Sequence, residues 1–374
     1  MKKILLVLSS GKFSGGEKVA LDIAKGLEND FEFIFFLPER PQKEFLECLK
    51  DFKIYFPEED KFFSIIKKLQ EVINLEKPEL AHSHGIRASI FLKLAILLNF
   101  KKTFRFVYTL HGIHFVHRKF PWNFIFLLWE FITNRIFVDN LICVSKDDFD
   151  LAKKLKLIKK NKTSLIENGI KIEDYNNLKS GFLRNKFKLK DKKILLTICR
   201  LHYPKDIKTL IKAINLIRNS DLILYIIGDG PDRRSLEEMV RKLNLQDKIQ
   251  LLGFQKEVKE LVNDSDIFIL SSRWEGLPIV ILEAWASKVP VIASNVHGIK
   301  GLIQNNKDGL LFEFGNEKDL TEKIRFLLEN RELQKQLIEN GFSRVQKEYN
   351  LDKMVEQYKN LYSFEKNYEN SSSK

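Results

Sequence analysis

The stretch Asp266-Ile-Phe-Ile-Leu-Ser-Ser-Arg-Trp-Glu275-Gly-Leu-Pro278-Ile-Val-Ile-Leu-Glu283-Ala-Trp-Ala-Ser287-Lys-Val289-Pro-Val-Ile-Ala-Ser294 reads as strand, loop, helix, strand. Residues 266–270 form a short apolar run, Pro278 suits a first helical position, Ile279 to Ser287 keep helical spacing, and 290–293 is apolar again. A strand that returns through a helix pairs in parallel, and parallel sheets carry helices on both faces. The same alternation runs along the rest of the chain. Strands are expected at 3–8, 31–37, 52–56, 79–83, 104–110, 139–145 and 163–167, then at 194–198, 222–227, 249–252 and 309–313, with amphipathic segments between them. The rhythm pauses over the polar stretch 169–192, with its charge run Lys186 to Lys193, which reads as a linker between two α/β domains.

Composition narrows the class. A chain of 374 residues with 44% hydrophobic content has room for two packed domains and is not a disordered one. Lys2-Lys3 and Ile4 to Leu8 imitate the start of a signal peptide, but the apolar run stops at Ser9. No run approaches the roughly 18 apolar residues of a spanning helix, so a cytoplasmic protein, soluble or peripheral on the membrane, is expected. Cys48, Cys143 and Cys199 are scattered and form no C-x-x-C, which excludes a disulfide framework or zinc module. The net charge of +13 invites nucleic acid, yet no nucleic-acid-binding motif is present and no such partner is expected. More telling is Leu80 to Trp129, which holds seven Lys and Arg residues and no acid.

Several loops carry groups suited to chemistry. The helix that follows Pro278 begins between Glu275 and Glu283, eight positions apart. Its N-terminus offers free amides to a phosphate, and the carboxylates can accept hydrogen bonds from sugar hydroxyls. Sugar, diphosphate and ribose follow in that order in a nucleotide sugar. The plainer alternatives are that Glu275 caps the helix and that Glu283 is a solvated charge. Arg200 and Lys205 follow strand 194–198, where fixed cations lower the barrier to a departing phosphate; solvation is again the alternative. Ser9 to Glu17 is glycine-rich after the first strand but is neither Walker A nor G-x-G-x-x-G. Five of the seven histidines, His82, His84, His111, His114 and His117, fall in one quarter of the chain. Their spacing keeps no common helix face, no Cys or acid pattern joins them, and no metal site is expected.

With Ser271 to Trp274 before the acids and Glu283-Ala-Trp-Ala after Leu282, the chain resembles the retaining glycosyltransferases of family 4 over nearly its whole length. That resemblance implies the GT-B fold: α/β, with two doubly wound Rossmann-like domains facing a central cleft. The domains would be 1–175 on the acceptor side and 176–350 on the donor side, with a helix at 351–366 crossing back to the first and a disordered tail at 367–374. It implies catalytic roles for His111, Arg200, Lys205 and Glu275. Gly15 and Gly16 would approach the donor diphosphate, and the backbone at Gly253 and Phe254 would read the base. Glu275 with the amides of Gly276 and Leu277 would hold donor-sugar hydroxyls, the turn Pro278, Ile279 and Val280 would complete the donor site, and Glu283 would bind the ribose. His82 and His84 would line the acceptor side. Gly228-Asp-Gly230-Pro231 and Asn168-Gly169-Ile170 match elements that set register and structure. Three positions depart from the pattern: Cys199 and Asp206 stand where glycines are usual, and His297-Gly298-Ile299-Lys300-Gly301 replaces Gly-Gly-Ile-Pro-Glu.

The expected activity is therefore a retaining, metal-independent, cofactor-free hexosyl transfer from a nucleoside diphosphate sugar, UDP ahead of GDP, to a hydroxyl. The setting would be cell-surface polysaccharide, lipopolysaccharide or lipid-linked glycan synthesis, in which a departing phosphate oxygen takes the acceptor's proton. A GT-B-like nucleotide-sugar 2-epimerase and a basic nucleic-acid-binding protein are the competing classes. Trp122 to Trp129, with basic residues before it, reads either as an interfacial helix touching an anionic membrane or as a helix packed on both sides.

Overall fold

The computed structural model describes residues 1–99, 102–117, 119–159, 161–176, 178, 181–189, 192–217 and 221–363, without the side chains of Asn99 and His117. The expected tail, residues 364–366, and the cations Lys101 and Arg118 lie outside the described residues. Strands β1 (Lys2–Val7), β2 (Phe31–Phe36), β3 (Lys53–Tyr55), β4 (Leu80–His84), β5 (Arg105–Leu110), β6 (Asn140–Cys143) and β7 (Thr163–Leu165) form one sheet in the order β3-β2-β1-β4-β5-β6-β7. Strands β8 (Lys193–Ile198), β9 (Leu222–Ile227), β10 (Ile249–Gly253), β11 (Ile267–Leu270), β12 (Val291–Ser294) and β13 (Leu310–Phe312) form a second, in the order β10-β9-β8-β11-β12-β13. Every neighbouring pair is parallel. Strand order reverses at β1/β4 in one sheet and at β8/β11 in the other, and ligands of doubly wound sheets bind outside the carboxyl ends at such points.

Two units follow by contact, Met1–Val144 with Phe149–Glu167 and the C-terminal segment from Leu351, and Ser145–Asp148 with Asn168–Asn350. Residues 168–175, expected with the first domain, cluster with the second because Asn168 and Ile170 hydrogen-bond to Leu277 and Tyr349. The stretch expected as a linker is likewise structured in part: the short helix Phe182–Lys186 starts where Asp264 accepts from the amides of Gly181 and Leu183.

Each core is the apolar content of its own sheet and helices. In the first unit the helix Leu351–Ser363 buries Met354, Tyr358 and Tyr362, and Arg105 of β5 donates to the Leu361 carbonyl at 2.7 Å. Strand β4 is unusual in burying three polar residues, His82, Ser83 and His84. His82 is satisfied on both ring nitrogens, by Tyr362 Oη at 2.6 Å and Thr109 Oγ1 at 2.7 Å. At the other edge Glu76 accepts from Tyr55, Lys53 and Lys3; burial alone would raise its carboxyl, but these donors outweigh burial and pull it down to about 2.

Helix Trp122–Phe137 has its polarity reversed. Its buried positions are Glu130, Thr133 and Asn134, while Trp122, Phe124, Ile125, Leu128, Phe131, Ile132 and Ile136 are exposed. Glu130 meets Lys93 at 3.1 Å with both side chains fully buried, and its second oxygen accepts from Asn134 Nδ2 at 3.1 Å. A buried ion pair is costly to break at one end and cheap to replace at both. Lys93→Met alone is therefore expected to lower unfolding free energy by about 3–5 kcal/mol, and Lys93→Met with Glu130→Leu to recover most of it. Denaturant titration of the three proteins measures this; equal loss in the single and double variants would refute the pairing argument.

Candidate active site

In the second unit the loop after β11 carries Glu275, and the two acids of the motif are buried, at 9% and 6% exposure for Glu275 and Glu283. Neither is a solvated surface charge. Glu275 does not cap the helix either, since the helix Ile279–Ala286 has no side-chain cap. Its Oε1 instead accepts from Ser272 Oγ at 2.5 Å and from Lys205 Nζ at 2.5 Å. Pro278, expected as the first helical residue, is in extended conformation at the N-cap, and the helix begins at Ile279. The leading amides, at Ile279 and Val280, lack a carbonyl one turn back, as at any helix start.

The rest of this loop is braced by backbone. The Glu275 amide donates to the His297 carbonyl at 3.1 Å. Asn168 Nδ2 donates to the Leu277 carbonyl at 3.3 Å, which gives the Asn-Gly-Ile turn a place beside Gly276 and Leu277. Gly298 has φ +83, and a Cβ there would overlap the Glu275 carbonyl. The Gly298 amide donates to Asp147 Oδ2 at 2.9 Å, and His297 Nε2 donates to Asp148 Oδ1 at 3.0 Å. The segment 297–301, a departure from the family pattern, thus buttresses Glu275.

Arg200 and Lys205 follow β8, beside β11. Lys205 is committed to Glu275; burial opposes its charge, but the carboxylate beside it prevails and the ammonium pKa is raised. Arg200 is exposed and has no ion-pair or hydrogen-bond partner among the described residues. Asp206 does not turn toward Lys205: its carboxylate accepts from Arg273 at 3.1 Å and Thr209 at 2.8 Å. Its φ of +44 explains the glycine usual at this position, a conformation that Asp tolerates better than most residues. Burial pushes the Cys199 thiol up to about 12, so this residue stays protonated and inert. Beyond β10, Gly253 has φ +70 and Phe254 is 60% exposed. Gly228 and Gly230 lie against the carbonyls of Cys199 and Leu201, where a Cβ would overlap.

The first unit gathers a separate group at the carboxyl ends of β1, β4 and β5. His84 Nδ1 and His111 Nε2 are 3.2 Å apart and share one hydrogen bond. A Cβ on Gly16 would lie 3.2 Å from His111 Cδ2, so the glycine lets the loop after β1 close onto that ring. Gly15 opens the helix Gly15–Gly26 and is exposed. Glu17, in the first turn of that helix, is buried and accepts from Ser14 and from Ser10 at 3.3 Å. Burial raises its carboxyl against those donors. Burial also holds His82 and His84 well below the ordinary histidine value, hence neutral, and His84 Nε2 is buried without a partner among the described residues. Among the described residues no group of three or more His, Cys, Asp or Glu is placed to hold a metal ion. Asp147 had no local sequence signal beyond hydrogen-bonding ability, whereas Ser272, Asn168 and Glu17 lay in the segments singled out above without their partners being readable there.

Residues 13–174 match the sequence profile of Glycosyltransferase Family 4, and residues 180–344 that of Glycosyl transferases group 1. The chain is 27% identical over 319 residues, 80% of each protein, to the UDP-Gal:alpha-D-GlcNAc-diphosphoundecaprenol alpha-1,3-galactosyltransferase of Escherichia coli. It is 28% identical over 366 residues, 96% of this chain and 98% of the other, to the O-antigen biosynthesis glycosyltransferase WclY of Escherichia coli. Among solved structures, Anabaena Alr3699/HepE in complex with UDP and glucose superposes with a TM-score of 0.85 at 20% identity, covering 97% of this chain and 100% of that one.

Two outcomes test the geometry. Gly298→Ala places a side chain at positive φ against the Glu275 carbonyl, and a fall in stability of at least about 1–3 kcal/mol is expected in thermal or denaturant melts; parental stability would show the loop free to adjust. His297 is raised by its hydrogen bond to Asp148, against partial burial. A raised histidine stabilises fully below its unfolded value near 6.5 and loses that contribution as pH rises through the folded value. The stability difference between the parent and His297→Gln should therefore shrink from about pH 6 to about pH 8; a difference constant with pH would remove the charged pair.

Proposed function

Because the chain belongs to glycosyltransferase family 4, of GT-B fold, we propose that it is a retaining, metal-independent transferase that moves a hexose from a UDP-sugar to a hydroxyl acceptor. The observation that carries this reading is the buried Glu275, held by Ser272 and Lys205 at the start of a helix that buries Glu283 one turn on. A pre-held carboxylate accepts from sugar hydroxyls without reorganising, and the amides of Gly276 to Val280 lie where a diphosphate would meet the helix N-terminus. Arg200 supplies an unneutralised cation for the departing phosphate. Lys205, paired with Glu275, links the sugar-binding acid to that charge. Gly253 and Phe254 would meet the base through backbone and an exposed ring, and Glu283 the ribose.

UDP is preferred as the donor nucleotide because the Escherichia coli relative acts on UDP-Gal and HepE was solved with UDP and glucose. The acceptor is assigned to the first unit, where Gly16, His84 and His111 meet and the neutral His84 offers a hydrogen bond without charge. Since the same relative transfers to a diphosphoundecaprenol-linked sugar and WclY serves O-antigen synthesis, a lipid-linked or surface glycan acceptor made on the cytoplasmic side is the reading favoured here. The acceptor's proton leaves with a phosphate oxygen, which asks for no protein base and no metal.

Arg200→Ala, and separately Lys205→Ala, is expected to lower kcat by roughly 10²–10³, the loss typical of removing a preorganised charge-stabilising donor. Steady-state turnover within twofold of the parent would remove either residue from the mechanism, and loss of activity in EDTA would overturn metal independence. A matching UDP-sugar at about 100 times its Kd should add about 2.7 kcal/mol of stability. Silence across a panel of UDP- and GDP-sugars would count against the donor assignment, and acceptor-free conversion of one would point to an epimerase.

A further inference from the structure

Helix Trp122–Phe137 turns Trp122, Ile125, Leu128, Phe131, Ile132 and Ile136 to solvent, with Trp122 59% and Ile136 63% exposed. An amphipathic helix on a soluble unit normally does the opposite. The reversal is held in place by the buried Lys93–Glu130 pair and by Asn134, which require the polar stripe to face inward. Glu130 is the only acid of the helix, so its outward face carries no negative charge. Arg135 stacks over the Phe131 ring at 3.5 Å, Lys119 is exposed just before the helix, and Phe120 between them in sequence is 82% exposed. Trp129 divides the aromatic run, since its indole nitrogen is buried while Trp122 is open.

The apolar surface continues past the helix. Phe126 lines a cavity of about 510 Å³ together with Phe62, Phe91 and Phe115, and Arg87 and Asp60 line it too. An exposed helix face with this many large apolar side chains marks an interaction site. Its charge selects the occupant. A second copy would bring another molecule of net charge +13 against the first, whereas an anionic surface is complementary to Lys119 and Arg135.

We propose that the outward face of helix Trp122–Phe137 is a seat for an anionic lipid surface, with Trp122 and Phe120 entering the interfacial layer and Lys119 and Arg135 meeting headgroups. No described helix is long and apolar enough to cross a membrane, so the contact is lateral. The inference stands apart from the donor chemistry, because its test contains no sugar or nucleotide.

The full chain is mixed with vesicles of phosphatidylcholine alone or with about a third phosphatidylglycerol, and the bound fraction is read by sedimentation and tryptophan fluorescence. Binding to the anionic vesicles, weakened in about 0.5 M salt by screening, is expected. Trp122→Ser with Ile136→Ser should abolish it while keeping the parent's melting temperature, because both side chains are exposed. Lys119→Gln with Arg135→Gln should weaken it on the order of tenfold to thirtyfold. Phe326→Ser, exposed on a helix of the second unit, should bind as the parent does. The proposal is overturned if the folded parent ignores anionic vesicles at low salt, if Trp122→Ser/Ile136→Ser binds unchanged, or if sedimentation without lipid shows a dimer that those substitutions dissolve.

Discussion

Parallel strand pairing is the constraint from which the site follows. When every strand in a sheet runs the same way, every strand-to-helix loop emerges at one edge, and the reversal of strand order opens a place there that helices do not fill. In the first unit that edge brings together the loop after β1, the end of β4 and the end of β5, hence Gly16, His84 and His111, from sequence positions far apart. In the second, β8 and β11 are neighbours, so Lys205 can reach Glu275 across 70 residues. No local feature would place those two side chains in contact. Only the order of strands does.

Within those edges, burial decides which charges persist. A carboxylate or ammonium taken from water is retained only with a partner at hydrogen-bond distance. Lys93 and Glu130 satisfy one another in the core of the first unit, and Glu76 gathers three donors at the sheet edge. Glu275 is paired in the same way, but at a loop that leads into a helix N-terminus, where Ser272 and Lys205 hold it. The first two pairs are ends in themselves. These acids thus differ in where they sit on their sheets, and the exposed Arg200, which follows β8, has no ion-pair or hydrogen-bond partner among the described residues.

Much of this was legible in the residues. Alternating apolar runs located the strands to within one or two positions, because a strand buried on both faces must be apolar throughout. Glu275 and Glu283 were legible as a pair around a helix start, and both prove buried. Asp206 was legible as an anomaly, while its cause, a left-handed backbone, was not. What remained hidden is tertiary: the Lys205 to Glu275 contact, Asn168 at the Leu277 carbonyl, and the bracing of Glu275 by segment 297–301 through Asp147 and Asp148. The direction of helix Trp122–Phe137 was hidden for the same reason. Its composition allows either face to be buried, and it took Lys93 on a different helix to fix Glu130 inside.

The same contacts bear on how the molecule responds to pH. His82 and His84 stay neutral because burial excludes their charged forms, and Lys205 stays charged because Glu275 outweighs its own burial. Cys199, pushed up to about 12, holds its proton as well. These four groups therefore keep one protonation state through the neutral range, whereas Asp148 raises His297 from the ordinary histidine value, so that it titrates there. It belongs to the brace behind Glu275, since its carbonyl receives the Glu275 amide. A proton gained or lost there acts on the position of the acid rather than on its charge, so any neutral-range pH dependence arising at this loop would enter through geometry.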